Sequence, residues 1–584
     1  MMSSIRSQSA TRLAAAVMAA ILMATALLVA VQSTGAQARG PREPVTVQFL
    51  NLSDWHGQLD PIGSPGVGGA AVLSAYFKAD RLNYPTLTLT AGDDFGASPP
   101  LSSFFDEVPA VLAQRLMGIQ VGTLGNHNFD KGVDHLQEMV TLAGAPTSVD
   151  APGTPMQYVS ANLRNRDDEL NGVRDFALFE VGTLTVGVVG ITNPEAPTLV
   201  FPGNFGSIVP TNPYPAANRA RAAAKAAGAD IVVALTHMGL RGFDQQTGEP
   251  VGELVDFANN VGGFDVIFGD HTDIQFQGVI NGQLVVENRS KGAAYARTLL
   301  TVDPGNGRVL EQSVRFVTPT ASAVTPDPAV EAMLAPFRAV LAPIMNTVIG
   351  YSDRAIPRAD SCGNGNGRIC ESLLGNVVTD AMRDRYDADF ALTNSGGLRA
   401  DLTCAGTSTS GFCPVYTPPP FQITRGRSFD VLPFGNFAMT LQVNGAELKQ
   451  LLEFGVGAMP AVSGTFQQVS GLCFSYDISQ PRGSRVIESS VVRQAADGSC
   501  DATQPVDLTS ASSYDIVEND FMVAGGEGHP VFLARASSDG TTLEVVLAEY
   551  LEQSASDDPI TPRIQGRIVC TTSGGTACPT VTAP

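Results

Sequence analysis

Cysteine is missing from more than half of this 584-residue chain, since all eight (Cys362, Cys370, Cys404, Cys413, Cys473, Cys500, Cys570 and Cys578) lie in the last two-fifths. That excludes a thiolate metal centre from the N-terminal part. No C-x-x-C pair occurs either, so zinc binding is the weaker reading of the C-terminal cysteines. Histidine is scarce, with six in the chain, and the 36 Lys and Arg are outnumbered by 57 Asp and Glu. A net charge of −21 excludes a nucleic-acid polymer as partner, because duplex binding needs a basic face. A small anionic substrate stays open, since metals and a few arginines can build a local positive well. No internal repeat is evident.

A long apolar run, Leu13 to Val31, follows Arg6 and Arg12 and precedes Ala36-Gln37-Ala38. This is the pattern of an export signal over 1–38 cleaved at an A-x-A site, with an uncleaved anchor as the alternative. No cysteine follows the run for lipidation, and the C-terminus has no apolar tail. A secreted, periplasmic or cell-surface protein without a stable membrane anchor is expected. Oxidised cysteines agree with export, and their short separations favour Cys362–Cys370, Cys404–Cys413, Cys473–Cys500 and Cys570–Cys578 as loop staples.

A chain of this length exceeds one core and predicts at least two domains. Asp327 to Gly350, where Asp327 can cap a helix opened by Pro328 and kinked at Pro336 and Pro343, reads as the connector. The expected division is 39–326, the connector 327–350, and 351–584. The Pro-rich stretch Thr417 to Pro420 reads as a surface loop.

Four of the six histidines follow apolar segments that read as buried strands. Val45–Leu50 runs into Asp54 and His56, Thr86–Thr90 into Gly92 and Asp93, Ile231–Leu235 into His237, and Phe264–Phe268 into His271 and Asp273. Between strands lie helical segments such as Tyr214 to Gly228. The fold class is therefore α/β, a layered sheet structure with polar residues on the loops at the carboxyl ends of its strands. A lone histidine after a strand is more often a capping or core residue, and that reading is kept for His135 and His529. It accounts poorly for four histidines that each sit near Asp, Asn or Thr. Gly125-Asn126-His127-Asn128-Phe129-Asp130 adds an amide oxygen, an imidazole and a carboxylate in one turn.

Imidazole with hard oxygen ligands and no thiolate suits zinc, manganese or cobalt. Two such cations about 3.5–4 Å apart, held by a bridging carboxylate, clamp phosphate oxygens and stabilise in-line displacement. These motifs together resemble the dinuclear metallophosphatase domain of secreted bacterial-type 5'-nucleotidases, in its four-layer arrangement. The resemblance implies two divalent metal ions: Asp54, His56 and Asp273 on one, Asn126, His237 and His271 on the other, and Asp93 bridging. It implies a catalytic pair, His127 oriented by Asp130. Two departures stand out. Asn128 replaces the usual Glu, which changes hydrogen bonding behind the ligands, and Asp273 replaces Gln or a third His, which shifts metal preference toward manganese.

The C-terminal part extends the likeness. Asn394-Ser-Gly-Gly-Leu-Arg399, Leu432-Pro-Phe434-Gly-Asn436 and the segment Asn519 to Gly528 are similar to the nucleotide-recognising motifs of the same family. Phe434 and Phe521 can sandwich a base, Arg368 and Arg399 can meet phosphate oxygens, and Asn394 and Glu527 can bond a base or ribose. Glu527 stands where Asp is usual. The resemblance implies an α/β substrate-binding domain, an active site between the domains, and rotation about the connector that brings a small nucleotide to the metals. Its implied reaction is hydrolysis of nucleoside 5'-monophosphates to nucleoside and phosphate. A 2',3'-cyclic nucleotide phosphodiesterase or a nucleotide-sugar hydrolase would keep every motif, and a secreted binding protein could keep the fold without turnover. A thiosulfohydrolase of the same superfamily would have no use for the paired phenylalanines.

Overall fold

The computed structural model describes residues 43–62, 66–244, 246–404, 412–414 and 419–582. The export-signal reading of 1–38 and part of the Thr417–Pro420 loop fall outside them.

Two sheets form the N-terminal half. Five parallel-paired strands, Val45–Leu52, Thr86–Thr90, Val121–Gly122, Gln157–Val159 and Val173–Arg174, continue through the antiparallel Tyr295–Asp303 and Arg308–Val317 into one seven-stranded sheet. The second, six-stranded sheet has Leu184–Ile191, Ile231–Thr236, Val266–Phe268 and Gln283–Glu287 as its parallel centre. These central strands are apolar on both faces because both are covered. Phe49, Leu87 and Leu89 of one sheet meet Val188, Val233, Leu235 and Phe268 of the other in a shared core. The outer face of the first sheet packs on helices Ala70–Asp80, Val108–Met117, Gly132–Gly144 and Pro328–Met345. That of the second packs on Pro213–Ala226 and Glu253–Asn260. The result is four layers, helix, sheet, sheet, helix, with strands opening their carboxyl ends onto one edge.

Asp327 caps the helix Pro328–Met345 by accepting the Ala329 N–H (3.1 Å), and its other oxygen takes Ser74 and Lys78. The helix continues through Pro336 and Pro343. It is apolar enough by length and composition to cross a membrane, yet Val330, Leu334, Leu341 and Met345 lie buried in the core with the first two helices.

Beyond it, strands Ala438–Val443, Tyr514–Asn519, Phe390–Asn394 and Gln467–Ser470 form a mixed sheet. Helices Leu373–Tyr386 and Leu543–Leu551 cover one face. Helix Gly445–Gly455 and a second four-stranded sheet cover the other. All four disulfides pair as the cysteine separations predict.

Candidate active site between the two halves

Strand ends deliver the polar residues to one place. Among the described residues thirteen non-glycine positions have positive φ, and Asp54, His56, Asp93, His271, Asp273, Lys291 and Glu527, seven of them, line a single cavity of about 1380 Å³. Backbone held in this sparsely populated region marks places where the surroundings dictate geometry.

At the N-terminal end, Asp54, His56 and Asp93 bring ligand atoms within 4.8 Å of one another, and so do Asp93, His237 and His271. Asp93 belongs to both groups. The Nδ1–H of His56 donates to the Gly96 carbonyl (2.8 Å) and that of His237 to Ala91 (3.2 Å), so both imidazoles are oriented with Nε2 toward the cluster. His237 Nε2 then faces Asp93 Oδ2 (3.0 Å), Asn126 Oδ1 (3.2 Å) and His271 Nδ1 (3.2 Å). Lone pairs converging at such distances repel unless a cation or a proton lies among them. The donor set therefore fits divalent metal ions. Burial opposes charge on His237, yet Asp93 outweighs it and raises its pKa to about 9, while burial pushes Asp54 up to about 6. The first shift expresses the neighbouring Asp93 carboxylate, the second the loss of solvent around Asp54.

Asp273 lines the cavity but is exposed and falls in none of these ligand groups, whereas the fully buried Asp270 does, with Asp54 and His237. Asp270 Oδ2 accepts the Asp54 N–H (2.9 Å), and the His271 N–H donates to Asp54 Oδ2 (2.7 Å), so Asp270 props the loop that carries Asp54. Asp270 directly precedes His271 in the sequence, and nothing in its spacing sets it apart as a support behind the ligands.

Asn126 and His127 sit where a strand turns into a single 3₁₀ turn, His127–Phe129. Asp93 Oδ1 accepts the His127 N–H (2.8 Å), and His127 Nδ1 meets both Asp130 oxygens at 3.0 Å, which leaves its Nε2 toward the cavity. Burial opposes charge on His127, but Asp130 and Asp93 raise its pKa above the ordinary value. Asn128 is buried and accepts the Gly125 N–H while donating to Asp94, whose other oxygen takes the Tyr158 hydroxyl (2.5 Å). Gly125 is forced by close approach: a Cβ there would lie 2.2 Å from Asp93 Oδ1 and 2.7 Å from His237 Cε1.

The C-terminal half supplies the opposite wall: Arg368, Asn394, Arg399, Phe434, Phe521 and Glu527 all line the same cavity. Phe434 stacks on His127 with centroids 5.6 Å apart, and the Arg399 guanidinium lies 5.6 Å from the Phe434 ring centre. Phe434 and Phe521 are not in ring contact with each other among the described residues, as a gap that admits a base requires. Gly526 makes room for Phe521, since a Cβ there would meet the ring at 2.3 Å. Glu527 turns its carboxylate inward with Oε2 buried and unbonded. The Cys362–Cys370 bridge closes the loop that carries Arg368, and Asp360 Oδ2 accepts the Ile369 and Cys370 N–H groups. Lys291 and Arg358 also line the cavity and had no sequence signal beyond their charge. His135 bonds the Asp106 carbonyl at the surface, and His529 is buried against Phe454; neither joins the site.

Residues 348–534 match the family model described as 5'-nucleotidase, C-terminal domain. A solved 5'-nucleotidase precursor from Thermus thermophilus is 25% identical, with a TM-score of 0.74, over 91% of this chain and 100% of that one. The chain is similar to 5'-nucleotidases over nearly its whole length, and that likeness indicates a phosphoric ester hydrolase. A 5'-nucleotidase from Diplobatis ommata is 24% identical over 91% of each chain. An endonuclease, YhcR of Bacillus subtilis, is 26% identical over 92% of this chain, which spans only 42% of that protein's length.

Proposed function

We propose that this protein is an exported, metal-dependent hydrolase that converts nucleoside 5'-monophosphates to nucleoside and phosphate. The observation that carries the reading is the shared cavity: a convergent Asp, His and Asn donor set at one end, and Arg368, Arg399, Asn394, Glu527 and two phenylalanines at the other. Similarity to 5'-nucleotidases supports the hydrolysis of nucleotide phosphoesters. The four disulfides support an oxidising, extracytoplasmic compartment, to which the segment 1–38 would direct the chain.

In this reading Asp54 and His56 would hold one ion and Asn126, His237 and His271 the other, with Asp93 available to both. Asp273 lines the cavity outside these ligand groups. When bound, the two ions supply Lewis-acid stabilisation of the phosphoryl group and its attacking and leaving oxygens. His127, held by Asp130, delivers a proton from Nε2 toward the leaving ester oxygen or stabilises charge beside the phosphorus. Arg368 and Arg399 clamp phosphate oxygens with forked donors. Phe434 and Phe521 hold the base between them, and Asn394 and Glu527 bond base or ribose.

A substrate panel on purified protein reconstituted with zinc, manganese or cobalt tests this. Phosphate release is expected to be fastest with nucleoside 5'-monophosphates, ahead of cyclic phosphates and nucleotide sugars. Faster turnover of 2',3'-cyclic nucleotides, or none on any phosphoester with metal bound, would overturn it.

A further inference from the structure

Asp93 and Asp94 follow one another just past the strand Thr86–Thr90, and both are buried. Asp93 lines the cavity and Asp94 does not. Asp94 Oδ1 accepts the Asn128 side-chain amide (2.8 Å), and its Oδ2 accepts the Tyr158 hydroxyl (2.5 Å). Both oxygens are engaged, and Asp94 enters none of the ligand groups. It joins no ion pair among the described residues. A carboxylate buried without a counter-charge costs stability that apolar side chains of the same volume would not. Its use is read from what its two partners hold.

Asn128 Oδ1 accepts the Gly125 N–H (2.8 Å), which closes a ring around Asn126 and His127. Those two residues are the metal ligand and the proton donor of the reading above. The ring is gripped twice by the same dipeptide, at the His127 N–H by Asp93 Oδ1 (2.8 Å) and at the Asn128 amide by Asp94 Oδ1. The carbonyls of Asp93 and Asp94 also hold the neighbouring loop, accepting the His56 N–H (2.9 Å) and the Gly57 N–H (3.0 Å). Tyr158, in the strand Gln157–Val159, ties Asp94 to the first sheet.

Residue 128 must accept from Gly125 and donate to Asp94 at once, and a side-chain amide does both. The Glu that is usual at this place in the family the chain resembles offers only acceptors when ionised, and here it would face Asp94 with a second carboxylate. Asn128 and Asp94 are therefore a matched pair.

We propose that Asp94 is a positioning residue for the reaction. Acting through Asn128, it fixes the turn so that the Asn126 amide oxygen stays among the donors around His237 while His127 Nε2 meets the phosphoryl group. The inference rests on the roles given above to Asn126 and His127. Because the pair acts at the metal end and not on the wall that holds the base, it serves every phosphate ester alike.

The test compares Asp94→Leu, Asn128→Asp and the exchange Asp94→Asn with Asn128→Asp against the wild type, on a nucleoside 5'-monophosphate and on p-nitrophenyl phosphate. Both single variants are expected to lose about 10–100-fold in kcat per bound metal on both esters, the range for groups that orient metal ligands, with KM nearly unchanged. The exchange should recover most of that loss. Its carboxylate at position 128 still accepts the Gly125 N–H and takes the amide at position 94, whose oxygen still accepts the Tyr158 hydroxyl. Tyr158→Phe, which deletes one hydroxyl and keeps the volume, should show a smaller loss of the same kind and serves if Asp94→Leu does not fold. Melting temperature and metal content are read on the same samples. Variants that lose stability or metal but keep the wild-type kcat per bound metal would overturn the proposal, as would an exchange variant no faster than the single ones. Hydrogen–deuterium exchange of the segment Gly125 to Asp130 in metal-free protein separates this from failure of the parent reading. Protection lost in both single variants and regained in the exchange supports the pair even if no nucleotide is hydrolysed. Equal protection in all four proteins removes it even if the monophosphate is a good substrate.

Discussion

The imidazole of His127 and the ring of Phe434 lie stacked at 5.6 Å with 21° between their planes, joining the turn that follows a strand of the first sheet to a loop of the C-terminal half. Phe434 therefore touches both the residue proposed to move a proton and the space proposed for the base. Phe521 stands apart from the imidazole, packed on Gly526 at the edge of the second core.

The two phenylalanines should fail differently. Phe521→Ala is expected to weaken nucleoside monophosphates by about 1–3 kcal/mol, the range for base stacking, and to leave a small base-free phosphate ester nearly untouched. Phe434→Ala should show the same loss and a further, smaller loss of kcat on the base-free ester, because the His127 ring loses its packing partner. Steady-state kinetics on both substrates checks this. Equal effects of the two variants on the base-free ester would mean that the stack has no bearing on His127.

Asp93 is the residue shared by the Asp54–His56–Asp93 and Asp93–His237–His271 groups. Asp93→Ala is expected to lower metal content and turnover together while the far-ultraviolet circular dichroism stays native. Metal analysis on the folded variant decides it: full occupancy with normal phosphate release would remove Asp93 as the shared ligand.

Gly125→Ala tests the same centre without deleting a ligand. The new Cβ at 2.2 Å from Asp93 Oδ1 must push either that carboxylate or the His237 ring aside. Small-to-large changes in tight sites cost about 1–3 kcal/mol, so the melting temperature should drop modestly while metal affinity drops steeply. Isothermal titration of metal into apoprotein measures the second effect, and an affinity equal to wild type would show that the turn can yield.

The layers and the gathering of the candidate ligands were legible in the sequence because they obey short-range rules. Apolar strands followed at once by Asp, His or Asn put those residues on one sheet edge, so Asp54, His56, Asp93, Asn126, His237 and His271 could be placed together before any fold was known. The cysteine pairs were legible for the same reason, since each closes a loop of modest length. What escaped depends on long-range approach. Asp270 props the Asp54 loop across more than two hundred residues, Lys291 is bound to Asp54 by its backbone rather than by a motif, and Arg358 reaches the cavity from the other half of the chain. Asp273 follows its strand as the other candidates do, but in the structure its φ is 62° and it is exposed outside the ligand groups.

His127 and Asp130 give the last expectation. His127→Ala should keep its metals, because Asn126 and not His127 stands among the donors around His237, yet lose about 10²–10⁴ in rate, as for a missing acid or base. Burial opposes charge on His127, and Asp130 is the strongest of the groups that outweigh it, so its pKa stands above 6.5. If the imidazolium is the working form, activity is present below that raised pKa and is lost as pH rises through it. Asp130→Asn removes the raising charge, so the alkaline limb of the rate profile should move to lower pH, and the rate at high pH should fall further than the rate at low pH. An NMR titration of the His127 ring in both proteins should show the same downward displacement. A rate profile whose alkaline limb stays in place while the ring pKa moves would take the proton transfer away from His127 and leave it as a group that only orients the substrate.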